Sequence, residues 1–274
     1  MKVASADGTA IHCEETGQGT PVVFVHEYGG SCRSFDLQVA AFSARYRCVV
    51  FNARGYPPSE VPPTADSYSQ DHAVADIGAV MDGLKLARAH LVGVSMGAAS
   101  TLQYALKEPA RVLSATLVGI GSGSDDPATF CANAQANAKL LEAGGMAALL
   151  AQMNASPTRR RLKDKNPPEF RRFNEQMLAM SPLGHANTSR GVQGRRPTLY
   201  VHEKRIAALH LPVLVVVGDE DEPCRKPSDF LERTLPDARL RVFPQTGHCV
   251  NLENPEEFNR LCLEFLAEAV VESR

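Results

Sequence analysis

The stretch Gly93-Val94-Ser95-Met96-Gly97 decides the fold of this chain. It lies between an apolar run over residues 89–94 and a segment with helical character that begins at Met96. Gly-x-Ser-x-Gly between a strand and a helix is typical of a nucleophile elbow, a sharp turn that holds the serine in a strained conformation. Only small neighbours let the flanking chain pass close to such a turn. The pattern therefore predicts that the Ser95 hydroxyl stands exposed at the tip of a strand.

A serine nucleophile needs a base, and the base needs an acid that orients it. Both residue types follow downstream. The apolar run 211–217 reads as a strand buried on both faces and ends in Gly218-Asp219-Glu220-Asp221. The next predicted strand, 239–243, is followed by the turn that carries His248. Because ligands bind at the carboxyl ends of parallel strands, we expect these side chains to meet Ser95 there.

These motifs resemble those of the α/β-hydrolase superfamily over nearly the whole chain. Further matches are His26-Glu27-Tyr28-Gly29-Gly30, Arg54-Gly55-Tyr56-Pro57-Pro58-Ser59, and Gly247-His248 followed by Glu253-Asn254-Pro255. The layout looks most like the small, cofactor-free serine hydrolases with a helical cap. The resemblance implies a catalytic triad of Ser95, Asp221 and His248, with no cofactor.

The acid has competitors in the sequence. Asp219, Glu220 and Glu222 occupy the same turn as Asp221, and Asp125 and Asp126 follow the predicted strand 112–120, where some members of the family hold the acid. The other histidines lack the glycine turn that precedes His248. The resemblance assigns the acid to Asp221, the fourth residue of the Gly-x-x-Asp turn, and the glycine turn favours His248 as the base.

An oxyanion hole requires two backbone N–H donors, one from the residue after the nucleophile and one from the loop after the first parallel strand. Met96 provides the first, and the resemblance assigns the second to Tyr28. Glu27 stands where the family usually has glycine. We expect it to turn out of the pocket and anchor the loop by pairing with Arg54; the alternative is contact with the substrate or with a water in the pocket.

Alternating strands and helices elsewhere predict a three-layer α/β/α fold with a mostly parallel sheet. Residues 1–16 read as a hairpin, and the predicted strands and helices run from there to residue 121. Residues 122–208 contain helical stretches without a strong strand candidate. The domain prediction is a core of 1–121 and 209–274 and a helical cap of 122–208. The basic run Arg159-Arg160-Arg161 within the cap is expected to be a solvated helix end.

Composition excludes several classes of function. A net charge of −2 does not provide the excess of positive charge that binding to nucleic acid or to an anionic membrane requires. No apolar stretch reaches the length of a transmembrane helix, and residues 1–5 do not resemble a signal peptide, so we expect a cytoplasmic protein. The seven cysteines form no C-x-x-C pair, which argues against a metal site. Cys224 and Cys249 are expected to be packing residues.

Together these features predict a serine hydrolase that acts on a small carboxylic ester or lactone. One alternative is a carbon–carbon bond hydrolase acting on a vinylogous diketone, although such enzymes commonly carry asparagine where this chain has Val94. The absence of tryptophan argues in the same way against many lactonases and perhydrolases. Another alternative is a ligand receptor on the hydrolase scaffold with little turnover. The expected partner is a small-molecule substrate, and a homodimer is left open.

Overall fold

A single mixed sheet of eight strands forms the centre of the protein, whose computed structural model describes residues 1–272. The parallel strands from the third to the seventh carry runs of apolar residues that are buried on both faces, whereas the eighth lies at the edge of the sheet and carries two arginines. The strands are β1 (Lys2–Ala4), β2 (Ala10–Thr16), β3 (Thr20–Val25), β4 (Tyr46–Phe51), β5 (Ala89–Val94), β6 (Val112–Val118), β7 (Val213–Gly218) and β8 (Ala238–Phe243).

The strand order in the sheet is β1-β2-β4-β3-β5-β6-β7-β8. β1 pairs with β2 and β2 with β4 in antiparallel fashion, and all remaining pairs are parallel. β4 and β5 lie on opposite sides of β3, so the direction in which successive strands are added to the sheet reverses after β4. Crevices at such points of reversal are where open α/β sheets bind ligands.

Helices cover both faces of the sheet, and the two apolar layers that they bury make up the core. The order of strands followed by helices confirms the predicted fold class. The helices are α1 (Asp36–Phe42), α2 (Gln70–Gly83), α3 (Met96–Lys107), α4 (Pro127–Ala155), α5 (Pro157–Lys165), α6 (Pro167–Leu178), α7 (Pro182–Thr188), α8 (Glu203–Ala207), α9 (Glu222–Thr234), α10 (Val250–Glu253) and α11 (Pro255–Glu272).

The elements that surround the elbow agree closely with the sequence prediction. β5 ends at Val94 and α3 begins at Met96, so Ser95 alone forms the connection. The hairpin of β1 and β2 is also confirmed, with Gly8 at a φ of 86° in its turn. Helix α1 ends at Phe42, and the chain enters strand β4 at Tyr46.

Between β6 and β7 the described chain contains helices and no strand, and we refer to this helical segment as the cap. Apolar side chains of α4, α5, α6 and α7 form one cluster, which also includes Cys249 and Leu252 next to His248. The cap therefore packs directly on the turn that carries the histidine. Its boundaries at residues 122 and 208 remain a prediction.

The structure corrects one expectation about the cap. The run Arg159-Arg160-Arg161 is not a solvated helix end: it lies inside α5, and Arg159 is buried with 5% of its surface exposed. Within residues 1–272, no helix combines the length and the apolar character needed to cross a bilayer.

Candidate active site

Ser95 adopts a backbone conformation that few residues other than glycine tolerate, with φ 53° and ψ −110°. The two flanking glycines make this turn possible. A Cβ atom on Gly97 would lie 2.0 Å from the carbonyl oxygen of Val25, and one on Gly93 would lie 2.6 Å from the carbonyl oxygen of Gly97. The Ser95 N–H donates to the carbonyl of Val118 at 2.8 Å, which fixes the turn to β6. The Gly-x-Ser-x-Gly spacing therefore has a steric cause in this fold.

The side chains of Ser95, His248 and Asp221 form a continuous hydrogen-bonded relay. Nδ1 of His248 lies 2.7 Å from Oδ2 of Asp221, and Nε2 of His248 lies 2.8 Å from Oγ of Ser95. An ionised Asp221 can only accept, so Nδ1 carries a proton and Nε2 of the neutral ring is left to accept from the Ser95 hydroxyl. The relay thus has the tautomer that a general base requires.

The electrostatics of the pair are set by burial and by mutual attraction. Burial of Asp221 acts to raise the pKa of its carboxyl, but the positive charge and hydrogen bond of His248 outweigh burial and lower it. Burial acts to lower the pKa of His248, but the Asp221 charge and hydrogen bond raise it well above the usual value of 6.5. The site therefore stabilises the imidazolium form, which is the form that a base creates when it takes a proton.

Glu253 holds the turn that presents His248. Its carboxylate accepts from the backbone N–H groups of Gly247 at 2.7 Å and of Cys249 at 3.0 Å. The His248 N–H in turn donates to the carbonyl of Thr158 in the cap helix α5, at 3.0 Å. This role of Glu253 is not predicted from the sequence, where the available signal is its position five residues after the histidine.

The acids that competed with Asp221 in its own turn are engaged elsewhere. Asp219 accepts from the backbone N–H of Thr246 at 3.0 Å, and Glu220 pairs with Arg161 of the cap, with 2.6 Å between Nε and Oε2. Glu222 is exposed. Of the four acids in this turn, Asp221 alone is hydrogen-bonded to His248.

The two acids after β6 also lie outside the relay. Asp125 accepts a hydrogen bond from the hydroxyl of Tyr200. Asp126 caps the start of α4 by accepting from the N–H of Thr129 at 3.0 Å. Their roles are local, since each satisfies a neighbouring donor.

The loop after β3 is a tight turn. The Gly30 N–H donates to the carbonyl of Glu27 at 3.1 Å, and Gly29 has a φ of 83°, which favours glycine. His26 braces the turn from behind: its Nε2 accepts from the Ala53 N–H at 3.0 Å, so Nδ1 carries the proton and donates to the Glu27 carbonyl at 2.8 Å. Burial lowers the pKa of His26 to about 4, which keeps this ring neutral.

The two predicted oxyanion donors belong to elements that meet at Ser95. Tyr28 lines the same cavity as Ser95, and its hydroxyl donates to the carbonyl of His185 in the cap at 3.2 Å. Met96 is the first residue of α3, where backbone N–H groups have no acceptor within the helix. Their role as oxyanion donors stays a prediction.

The predicted pair between Glu27 and Arg54 is wrong. Arg54 donates to Asp76 and to Asp7, and these two carboxylates occupy its guanidinium. Glu27 is buried and lines the cavity with Ser95, where its Oε1 accepts from the Ser34 hydroxyl at 2.9 Å and its Oε2 has no hydrogen-bond partner. Burial raises the pKa of Glu27, which favours the neutral acid.

The relay opens into a cavity of about 460 Å³ between the sheet edge and the cap. Most of the cap residues that line it carry amide, hydroxyl or guanidinium groups, which stand among the apolar surface that ligand pockets usually have. The polar cap residues of the wall are Ser122, Asn133, Asn137, Gln152, Ser156, Thr158, Arg159, Gln193 and Arg196.

Cys224 brings a thiol close to the relay without completing a metal site. One ligand atom from each of Asp221, Cys224 and His248 lies within 4.8 Å of the others. The Asp221–His248 hydrogen bond already uses two of these atoms, and the thiol of Cys224 donates to the carbonyl of Gly119 at 3.2 Å. Burial raises the pKa of Cys224 to about 11, so the thiol is protonated at neutral pH.

Comparison with known proteins places this geometry in a family. The sequence profile of the alpha/beta hydrolase fold matches residues 20–255. The chain is 31% identical, over 95% of its length and 92% of the relative, to a 2-hydroxy-6-oxononadienedioate/2-hydroxy-6-oxononatrienedioate hydrolase of Burkholderia vietnamiensis.

Two solved structures share the fold at lower sequence identity. A thermophilic esterase from Thermogutta terrifontis is 23% identical, with a TM-score of 0.87 and 98% of both chains covered. The enol-lactonase of Burkholderia xenovorans is 21% identical, with a TM-score of 0.84, and the match covers 97% of this chain and 100% of the lactonase. With the family profile matched over most of its length, this chain belongs to the alpha/beta hydrolase family and is a hydrolase.

Proposed function

We propose that this protein is a serine hydrolase that cleaves small carboxylic esters or lactones through an acyl-enzyme. The observation that carries the proposal is the relay in which His248 lies 2.7 Å from Asp221 and 2.8 Å from Ser95, with Ser95 on a strained elbow. A serine hydroxyl with a correctly oriented base in hydrogen-bond reach is an activated nucleophile.

The reaction follows from the protonation states of these groups. The Ser95 Oγ attacks the substrate carbonyl while Nε2 of His248 takes the hydroxyl proton, and Asp221 stabilises the imidazolium. The N–H groups of Tyr28 and Met96 bind the oxyanion. Collapse of the intermediate breaks the bond to the alcohol oxygen, which receives the proton from Nε2. Water then adds to the acyl-enzyme as His248 takes its proton, and release of the carboxylic acid restores the Ser95 hydroxyl.

The test uses a fluorophosphonate probe and a panel of chromogenic esters and lactones. We expect wild type to be labelled at Ser95 and to hydrolyse members of the panel, and Ser95→Ala to lose labelling and at least three orders of magnitude in turnover. Ser100→Ala, which alters a buried hydroxyl of the same helix α3, is the matched control and should remain labelled. Labelling of Ser95→Ala at the wild-type rate would refute the proposal.

A second candidate is cleavage of a carbon–carbon bond in a vinylogous diketone. It is favoured by the similarity to the relative from Burkholderia vietnamiensis, whose name is 2-hydroxy-6-oxononadienedioate/2-hydroxy-6-oxononatrienedioate hydrolase. Val94 precedes the nucleophile where carbon–carbon bond hydrolases commonly have asparagine. A ring-cleavage diketone included in the panel decides between the two candidates: turnover of the diketone in preference to every ester and lactone would favour the second.

A further inference from the structure

The three arginines of the cap helix α5 have different surroundings. Arg160 is exposed, and Arg161 is paired with Glu220 next to the relay turn. Arg159 is buried, with 5% of its surface exposed, and lines the cavity that Ser95 also lines. One residue of the basic run has thus been withdrawn from solvent and placed in the wall of the candidate active site.

The guanidinium of Arg159 lacks partners for its donors. Its Nε and Nη2 atoms are buried and form no hydrogen bond with any described residue. The group stacks on the ring of Phe173 in α6, with its central carbon 4.0 Å from the ring centroid, and the stacking holds the plane of the fork. Buried arginine donors without partners are costly, so a group from outside the chain is the natural acceptor.

The other charged groups of the cavity wall do not fill this role. Glu27 also lies in the wall, where its Oε1 accepts from Ser34, but its Oε2 and the Arg159 Nε and Nη2 atoms form no hydrogen bond with each other. Burial raises the pKa of Glu27, against the charge of Arg159, which acts to lower it. Arg196, the second arginine of the wall, already donates to the Gln193 side chain at 2.9 Å and to the Ser122 carbonyl at 2.8 Å. The wall therefore has an excess of positive charge, concentrated on a fork that remains free.

The position of Arg159 along the chain couples it to the relay. The preceding residue, Thr158, accepts the backbone N–H of His248 at 3.0 Å. Any group held by Arg159 therefore lies against the same segment of α5 that fixes the histidine turn. A planar guanidinium with two adjacent free donors matches the geometry of a carboxylate.

We propose that Arg159 is a specificity residue that binds a carboxylate of the substrate, so that the preferred esters or lactones are those that carry a free carboxylate away from the scissile bond. This inference rests on the proposed function and names its substrate class. If Arg159 served only to pack α5 on α6 through Phe173, its replacement would lower stability without changing the preference between charged and neutral substrates.

The test compares two esters of the same acyl length, 4-nitrophenyl hydrogen glutarate and its methyl ester, which differ in one negative charge and one methyl group. We expect wild type to show a higher kcat/KM for the charged ester. Arg159→Gln should lower the ratio of charged to neutral kcat/KM by roughly 10- to 100-fold, the loss expected when a charge-assisted hydrogen bond is removed. Arg160→Gln, one residue away and exposed, is the matched control and should keep the wild-type ratio.

Two further measurements keep the outcome decisive. Arg159→Lys keeps the charge but loses the fork and should give an intermediate ratio; it also replaces Arg159→Gln if that variant does not fold. A wild-type ratio at or below one, or a ratio unchanged in both Arg159 variants, would overturn the inference.

Binding separates this inference from the proposed function. Titration of glutarate into Ser95→Ala by calorimetry requires no turnover, and the same titration is made into Ser95→Ala/Arg159→Gln. Loss of binding in the double variant supports the carboxylate subsite even if wild type hydrolyses no ester, an outcome in which the proposed function alone fails. Equal binding by both proteins, or no binding by either, overturns the subsite.

Discussion

Arg54 and Asp76 form a buried ion pair with two hydrogen bonds, in which Nε and Nη2 donate to Oδ2 and Oδ1 at 2.8 and 2.7 Å. Both side chains are at most 2% exposed. Asp7 accepts from Nη1 of the same guanidinium at 2.7 Å, and this hydrogen bond holds the pKa of Asp7 well below its usual range. The arginine thus joins the β1–β2 hairpin to α2 and to the loop after β4.

This relationship predicts a stability defect. Arg54→Met should lower the free energy of unfolding by roughly 3–5 kcal/mol, because it leaves the buried Asp76 carboxylate without its partner. Denaturant unfolding at pH 7 measures the change. Arg260→Met is the matched control: Arg260 pairs with Glu264 on an exposed helix face, where a change of about 0.5 kcal/mol or less is expected.

A double variant separates the unpaired charge from the packing of the arginine. Arg54→Met/Asp76→Leu should recover part of the loss, because it removes the stranded carboxylate as well. A loss in Arg54→Met no greater than that in Arg260→Met would contradict the description of this pair as a buried structural link.

Glu27 provides a second prediction, which depends on its protonation. Burial raises the pKa of Glu27 in the folded protein above that of the unfolded chain, so stability from this group is present below the unfolded value of about 4.3 and is lost as pH rises toward the folded pKa. Glu27→Gln cannot lose a proton and can still accept from Ser34. We expect Glu27→Gln to be at least as stable as wild type at neutral pH, with an advantage that grows from pH 5 to pH 8.

Thermal unfolding across that pH range measures the effect, and Glu232→Gln, at an exposed position of α9, is the control that should show no such trend. Should Glu27→Gln be less stable than wild type throughout, Glu27 would have to be ionised and paired, against the geometry of its free Oε2.

The sequence predicted those parts of the structure that depend on local pattern. The elbow at Ser95 is specified by two glycines that have no room for a Cβ, and the turn at His248 follows a strand in which basic and apolar residues alternate. Asp221 could be ranked above its neighbours only by resemblance, because burial of one acid among four depends on how α9 begins.

Long-range partners could not be predicted in the same way. Arg54 lies 22 residues before Asp76 and 47 after Asp7, and no periodic pattern connects these positions. Arg159 looked like part of a solvated basic run, because its burial depends on the packing of α5 against Phe173. Short cap helices leave weak patterns in the sequence, and the contacts among them decide which polar residues enter the cavity.

The acid of the relay can be tested by a third prediction. Asp221→Asn should keep the fold and lower kcat by roughly 10⁴-fold, since an amide at this position favours the tautomer of His248 that cannot accept from Ser95. Asp219→Asn and Asp125→Asn are matched controls, because these acids bind Thr246 and Tyr200 and do not contact His248. Steady-state kinetics with the best ester of the panel compares all three.

The outcome that would contradict this assignment is specific. If Asp125→Asn were the variant with the large loss, the acid would lie after β6, and the hydrogen bond of Asp221 to His248 would be structural. A loss in Asp219→Asn as large as that in Asp221→Asn would instead indicate that the whole turn after β7 is needed for activity.

The pH dependence of the rate provides the last prediction. In the proposed mechanism His248 is the base and can take a proton only when neutral. The Asp221 charge raises its pKa well above 6.5, so kcat/KM should fall as pH is lowered through a value above 6.5. His26 and His185 cannot cause this fall in kcat/KM, because burial lowers their pKa values to about 4 and about 3. In the residual activity of Asp221→Asn, the fall in kcat/KM should move to lower pH, since the charge that raises the pKa of His248 is gone. A stopped-flow pH profile of both proteins measures the shift. If kcat/KM of the wild type fell only at or below pH 6.5, or if it fell at the same pH in Asp221→Asn, Asp221 would not control the protonation of the base.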